Sequence, residues 1–323
     1  MPKKQAPIQV QNSYPEQQFI DILKKILDQG VWRPVKQRLA GETVPEAKTV
    51  TGVQMRFQPE DGMPLTTLRS MKGAFYMFLG EMLWILSGHT DVDMLHKFNV
   101  RYWDDWCDAE HCGWYDLPVG QFGRTYGAQW RSFNAGGPEP VDQIKRLFNA
   151  IKKNPYDRGL LVNPWNPYDV DHIVIKPCHG QFRLLLVDDK WTMIVTQRSG
   201  DVPVGIPSNV VMYKFLQQLI CMKTGFAEGE LIYDIHDAHY YSDQEKGVEE
   251  LISREPRAYP TCTINPILVE ILDAMLEGDD DPFANKRFNP DNKPYSDLLK
   301  EWVVLENYNP HPPVPRDILP VAI

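Results

Sequence analysis

Pro177-Cys178-His179 places a thiol in a turn between two apolar runs. The thiolate is the reactive form of cysteine, and a nearby cation lowers the pKa at which it forms. Gln197-Arg198-Ser199 follows the next apolar run and supplies such a cation. Asp201, Gly205, Pro207 and Asn209 come next, in a turn-rich stretch that leads into a helix. An Asn at a helix start reads first as an N-cap. Its amide can also read the edge of a base, because it offers a donor on one side and an acceptor on the other. Asp237, His239, Tyr240 and Tyr241 form a second polar cluster beyond a strand, which read alone is an ordinary loop. Glu81 is a single acid inside an apolar run. A buried carboxylate is costly unless it is paired or used. Cys107, His111 and Cys112 stand close together. Their spacing fits no standard zinc pattern, so no metal is expected. Trp103 and Trp106, flanking Asp104-Asp105, read as core aromatics. The sequence contains no Gly-rich phosphate loop and no serine nucleophile elbow.

These residues need a scaffold, and the chain has the material for one. It has 323 residues, 43% of them hydrophobic and 11% aromatic, enough for a sizeable core. A net charge of -9 argues against a general nucleic-acid binder. Five scattered cysteines fit a reducing, cytoplasmic setting better than a disulfide framework. The start MPKKQAPIQV has no apolar core of a signal peptide. No run of about 18 apolar residues occurs, so no membrane-spanning helix is expected. Phe19, Ile22, Leu23, Ile26 and Leu27 recur at helical spacing, with Gly30 just past the end. Residues 73–86 are apolar almost all round and predict a buried helix around Glu81. Residues 141–153 predict a surface helix that stops before Asn154-Pro155. Residues 160–162, 183–187 and 191–196 predict strands, with a hairpin turn at Asp188-Asp189. A helix over 209–224 and a strand over 230–235 follow. Residues 277–295 are acidic, polar and Pro-containing and read as a surface insertion. The tail 309–323 carries five prolines and cannot be a helix. Strands and helices mix without a regular βαβ rhythm, so the expected class is α+β in one domain.

Taken together, the chemistry-bearing pieces resemble the folate-dependent thymidylate synthase family. They stand in family order from about Gly52 to the C-terminus: Glu81-Met-Leu-Trp84, Trp103-Asp-Asp-Trp106, Tyr126-Gly-Ala-Gln-Trp130-Arg131, Asn154-Pro155, Trp165-Asn166-Pro167, Pro177-Cys178-His179, Gln197-Arg198-Ser199-Gly-Asp201, Gly205-Ile-Pro207-Ser-Asn209, Asp237-Ala-His239-Tyr-Tyr241 and Pro320-Val-Ala-Ile323. The resemblance implies one catalytic domain over 1–323, with a central mixed sheet and long buried helices. It implies one-carbon transfer from 5,10-methylenetetrahydrofolate to C5 of a deoxypyrimidine monophosphate. Cys178 would add to C6 and make C5 nucleophilic. Arg198 would hold the thiolate and the phosphate, with Ser199 as a hydroxyl donor. His179 and Gln197 would line the nucleotide, and His239 and Tyr241 would bind the sugar 3′-hydroxyl. Glu81 would manage protons at the base carbonyl through ordered water, and Tyr126 would help remove the C5 proton. Asp201 would hold the pterin, with Trp103, Ile175, Gly205 and Ser208 along the folate side. Ile323 would close over the bound ligands. Arg158 would reach across a homodimer to the partner's phosphate site. Relatives acting on cytosine nucleotides have Asp where this chain has Asn209, so deoxyuridylate is the expected substrate.

The chain also departs from the family. Arg158-Gly159 stands where two arginines are usual, and the N-terminal region 1–51 lacks the family's Arg-Thr-Gly-Thr string. Lys36 or Arg38 could stand in for its phosphate arginine. Lys72 is the candidate for the folate-tail lysine, and Ser208 replaces a Phe that packs on the folate. The expected product is thymidylate, formed by hydride reduction of the bound one-carbon unit. The alternatives are a phage-type hydroxymethylase, in which water captures that unit, and a catalytically silent nucleotide- or RNA-binding homologue.

Overall fold

The computed structural model describes residues 14–35, 46–134 and 139–321. Strands β1 (Val31–Pro34), β2 (Glu46–Phe57), β3 (Leu161–Val162), β4 (Gln181–Val187), β5 (Lys190–Gln197), β6 (Gly200–Asp201) and β7 (Ala227–Tyr241) form one sheet. Its order is β1-β2-β7-β5-β4-β3, with β6 pairing β7. β5 and β6 run parallel to β7 and the other pairs are antiparallel, so the sheet is mixed. A separate ribbon joins β8 (Thr261–Ile264) to β9 (Val303–Glu306). The helices are α1 (Gln17–Gln29), α2 (Phe75–Ser87), α3 (Val92–Lys97), α4 (Ala109–Gly113), α5 (Tyr126–Arg131), α6 (Gln143–Lys153), α7 (Gly205–Thr224), α8 (Glu245–Ser253), α9 (Ile267–Glu277) and α10 (Tyr295–Trp302). This is the α+β architecture with a central mixed sheet that the sequence led us to expect. Among the described residues, no helix is long and apolar enough to cross a membrane.

Local chemistry accounts for the elements that matter to the site. Asp188 and Asp189 both take left-handed backbone conformations, φ 49° and 56°. Two positive φ values in a two-residue loop match the twist of a tight hairpin, and Asp tolerates them. That turn sets the register of β4 on β5, and so places Cys178, just before β4, beside Arg198, just after β5. A parallel pair needs a crossover, and α7 supplies it between β5 and β7. Buried on nearly every side, α7 packs against α2, whose apolar surround encloses Glu81. Burying Lys214 in α7 is made tolerable by its ion pair with Glu228 of β7.

Three elements differ from expectation. α7 begins at Gly205, so Asn209 lies in its second turn and is not an N-cap. β7 runs to Tyr241, so His239 and Tyr241 stand on a strand and not in a loop. A fifteen-residue strand is stable here because β2 pairs along one side and β5, followed by β6 at the His239 end, along the other. The stretch 277–295 is not all surface, because Phe283, Phe288, Asn289 and Tyr295 are buried. Phe283 stacks edge-on against Phe98 at 4.9 Å, an anchor that polar composition concealed. Lys36 and Arg38 lie outside the described residues.

Candidate active site

One cavity of about 1180 Å³ opens at the end of the sheet where Cys178, Arg198 and His239 converge. Its walls also include Glu81, Trp103, Tyr126, Ile175, His179, Gln197, Ser199, Asp201, Gly205, Ser208, Asn209 and Tyr241. Residues scattered over 160 positions of sequence thus share one space. Arg158 is exposed on the loop after α6 and does not line this cavity. Lys72 is exposed and also outside it, and Arg69 faces the cavity in its place. Ile323 lies outside the described residues.

The thiol is held by its neighbours. The Cys178 backbone N–H donates to the Tyr126 hydroxyl at 3.0 Å, which ties the Cys178 turn to α5. Arg198 Nε donates to Pro177 O at 2.8 Å and its Nη2 to Lys176 O at 2.9 Å. The same Nη2 lies 3.5 Å from Cys178 Sγ. Backbone acceptors therefore fix the guanidinium beside the sulfur. The Trp165 ring supports it from 5.5 Å, a contact not anticipated from sequence. His179 is buried with Nδ1 2.9 Å from the Tyr213 hydroxyl. Burial pulls its pKa down to about 3, so the ring is neutral at neutral pH and cannot be the cation beside Cys178.

A polar network fixes the amide of Asn209. Gln197 Nε2 donates to Ser199 O at 2.8 Å, while its Oε1 accepts from the Tyr233 hydroxyl at 2.5 Å and from Asn209 Nδ2 at 3.2 Å. Gln197 cannot flip without breaking all three bonds. Its orientation leaves Asn209 one further N–H and a carbonyl oxygen to offer the cavity. Ser208 Oγ donates to Gly205 O at 2.7 Å, so its proton is tied back to the helix.

Glu81 Oε2 accepts from the Tyr102 hydroxyl at 2.5 Å and Oε1 from the Trp103 indole at 3.1 Å. Burial pushes the Glu81 carboxyl up to about 7, against the pull of those two bonds. A carboxyl poised there can give or take a proton at neutral pH. Trp103 is not a plain core residue: it is half-buried on the cavity wall, edge-on to Phe122 at 5.7 Å.

Asp201 accepts from the Val204 N–H at 3.2 Å and from Gln244 Nε2 at 2.9 Å. Burial pushes its carboxyl up to about 7, opposed by Gln244, the Val204 N–H and the charge of Arg69. Gln244 Nε2 also donates to Pro320 O at 2.9 Å, so one buried amide joins Asp201 to the C-terminal strap. The strap docks on Gly247, whose N–H donates to Ile318 O at 3.0 Å. A Cβ at Gly247 would lie 2.4 Å from that oxygen, so the close approach requires glycine. Pro313, Val314 and Leu319 of the strap wall the cavity.

At the opposite end, Arg33 Nη2 pairs with Asp237 Oδ1 at 2.9 Å, and Ser199 Oγ donates to Asp237 Oδ2 at 3.0 Å. His239 is buried with Nδ1 3.2 Å from Asp237 O, and burial lowers its pKa. Arg33, Tyr102 and Gln244 were not singled out in the sequence. Tyr102 had a usable signal, since it adjoins Trp103; the other two depend on strand pairing and strap docking.

The cavity suits a flat, partly polar ligand beside a nucleotide. Trp103, Ile175, Val204, Val314 and Leu319 give apolar walls, and the Asp201 carboxyl stands within them. Among the described residues, no group of three His, Cys, Asp or Glu side chains could hold a metal. The family model described as thymidylate synthase matches residues 17–319. That family transfers a one-carbon unit to a deoxypyrimidine and uses methylenetetrahydrofolate as co-substrate, and the walls around Asp201 fit such a group. Over nearly its whole length, with the thiol, the arginine and both carboxyls gathered in one cavity, the chain belongs to the thymidylate synthase family of one-carbon-transferring enzymes.

Proposed function

We propose that the protein converts deoxyuridylate to thymidylate. The observation that carries this reading is the fixed amide of Asn209, with its nitrogen turned to Gln197 Oε1. Uracil presents an N3–H donor beside an O4 acceptor. The remaining N–H and the carbonyl of Asn209 complement that pair; cytosine would meet like groups at both positions.

The chain's own residues then divide the chemistry. The Cys178 thiolate adds to C6, which loads C5 with electron density. Glu81 moves a proton at the base carbonyl, and Tyr126 guides loss of the C5 proton. Arg198 and Ser199 hold the phosphate, and Arg33 takes the place of the N-terminal arginine that the sequence lacks. Their forked donors suit a dianion. His239 and Tyr241 hold the sugar. The bound folate supplies the carbon and the hydride, with Asp201 orienting it. Reduction is favoured over capture by water because the strap and Trp103 line the folate face with apolar surface.

The test is to supply deoxyuridylate or deoxycytidylate with methylenetetrahydrofolate and weigh the products. A methyl product with dihydrofolate, from deoxyuridylate only, is the expected result. A hydroxymethyl product with tetrahydrofolate would overturn the reductive step, and turnover of deoxycytidylate would overturn the base reading.

The active form is proposed to be a cytoplasmic homodimer. Arg158 is exposed and away from its own cavity, which fits a residue serving the partner's phosphate. Sedimentation equilibrium should give twice the chain mass, and Arg158→Ala should raise the nucleotide KM. A fully active monomer would refute this.

A further inference from the structure

Glu81 stands midway along α2, buried at 5% exposure among apolar neighbours. A glutamate carboxyl turns freely about its last torsion, so one hydrogen bond leaves its plane loosely set. Here two consecutive residues each take a different oxygen, the Tyr102 hydroxyl at 2.5 Å and the Trp103 indole at 3.1 Å. Two donors fix both the position and the plane.

The donors are not equivalent. An indole N–H can only donate, whereas a phenol both donates and accepts. When Glu81 gains a proton on Oε2, Tyr102 can rotate its hydroxyl and accept from it, while Trp103, which can only donate, keeps its bond to Oε1. Tyr102 also lines the cavity beside Glu81, with its ring 6.2 Å from that of Trp103.

We propose that Tyr102 is a positioning residue for the one-carbon transfer: its hydroxyl aims the Glu81 carboxyl at the base and stays bonded to it as the proton comes and goes. The inference rests on the function proposed above for the role of Glu81 at the base carbonyl. Tyr102 itself touches neither the nucleotide nor the folate in this role.

Tyr102→Phe keeps the ring and removes only the hydroxyl. A donor to a carboxylate favours the charged form, so its loss raises the pKa of Glu81. Infrared titration of the Glu81 carboxyl, isolated by subtracting the Glu81→Gln spectrum, should show the midpoint rising by about one pH unit. The limb of the pH–rate profile that Glu81 governs should move upward equally. At pH 7 kcat should fall roughly tenfold while the Kd for deoxyuridylate changes less than about twofold. An unmoved midpoint overturns the proposal, even if kcat falls, because general loosening lowers a rate without moving one carboxyl's titration.

A second measurement needs no variant at Tyr102. In ring-labelled protein, one tyrosine phenol signal should follow the Glu81 titration and cease to do so in Glu81→Gln. Absence of any such signal also overturns the proposal. These spectra do not require turnover. If the enzyme acts on neither deoxyuridylate nor deoxycytidylate, the proposed function fails while the Tyr102–Glu81 coupling is still decided.

Discussion

Cys178→Ala should abolish turnover, lowering kcat by at least about a thousandfold, while deoxyuridylate still binds. The expectation rests on how the turn is held. Its backbone is tied to the Tyr126 hydroxyl through the Cys178 N–H and to Arg198 through the Cys178 carbonyl, and neither bond uses the sulfur. Arg198 is held by the carbonyls of Lys176 and Pro177, so it keeps its place when Sγ is removed. In the proposed function, binding energy comes from other groups: the arginines at the phosphate, His239 and Tyr241 at the sugar, and Asn209 at the base. Only the bond to C6 is lost, and among the described residues no other thiol lines the cavity to replace it. Cys107, Cys112 and Cys221 are buried, and burial raises the pKa of the Cys107 and Cys221 thiols. Calorimetry of nucleotide binding alongside single-turnover kinetics checks both halves. Residual turnover above about a thousandth of the parent rate would remove Cys178 as nucleophile.

The legibility of these parts in sequence followed their spacing along the chain. Cys178, Arg198, Asp201 and Asn209 fall within 32 positions, flanking the two hairpin strands and running into the helix after them, so their clustering was visible in order. Glu81 was visible because one acid in an apolar helix demands a partner, but the partners were not. Tyr102 and Trp103 reach Glu81 only because the segment after α3 folds back over α2. Arg33 becomes a site residue through the pairing of β1 with β2, which brings it to Asp237 of β7 across 204 positions. Gln244 gains its meaning only once the strap has docked, since its amide nitrogen donates to both Pro320 and Asp201. The β7 strand was drawn too short because its polar end, His236 to Tyr241, alternates weakly; pairing with β2 on one edge and β6 on the other overrides that pattern.

Asn209→Asp should move the preference from deoxyuridylate toward deoxycytidylate. The substitution is nearly isosteric, so its effect is one of hydrogen-bond polarity. In the parent, Nδ2 gives one proton to Gln197 Oε1 and keeps another for O4 of uracil. An aspartate has no such pair of protons. Uracil O4 loses its donor and faces an oxygen. Cytosine replaces O4 with an amino donor and N3–H with an acceptor, so the required pattern inverts. A protonated carboxyl presents that inverted pattern, an acceptor for the amino group and a hydroxyl for N3. The site favours this form, because Gln197 Oε1 is held toward position 209 by Tyr233 and Ser199 and disfavours a negative oxygen there. A well-placed bidentate pair discriminates between bases by about 1–3 kcal/mol. The ratio of kcat/KM for the two nucleotides should therefore fall by roughly ten- to a hundredfold or more, with loss of deoxyuridylate turnover as the larger part. Acidification should favour the variant on deoxycytidylate, since it fills the protonated state; the parent on deoxyuridylate should show no matching gain. Competition between the two nucleotides at several pH values reads both effects. A variant that kept its uracil preference would place base recognition on another residue and remove the argument for deoxyuridylate.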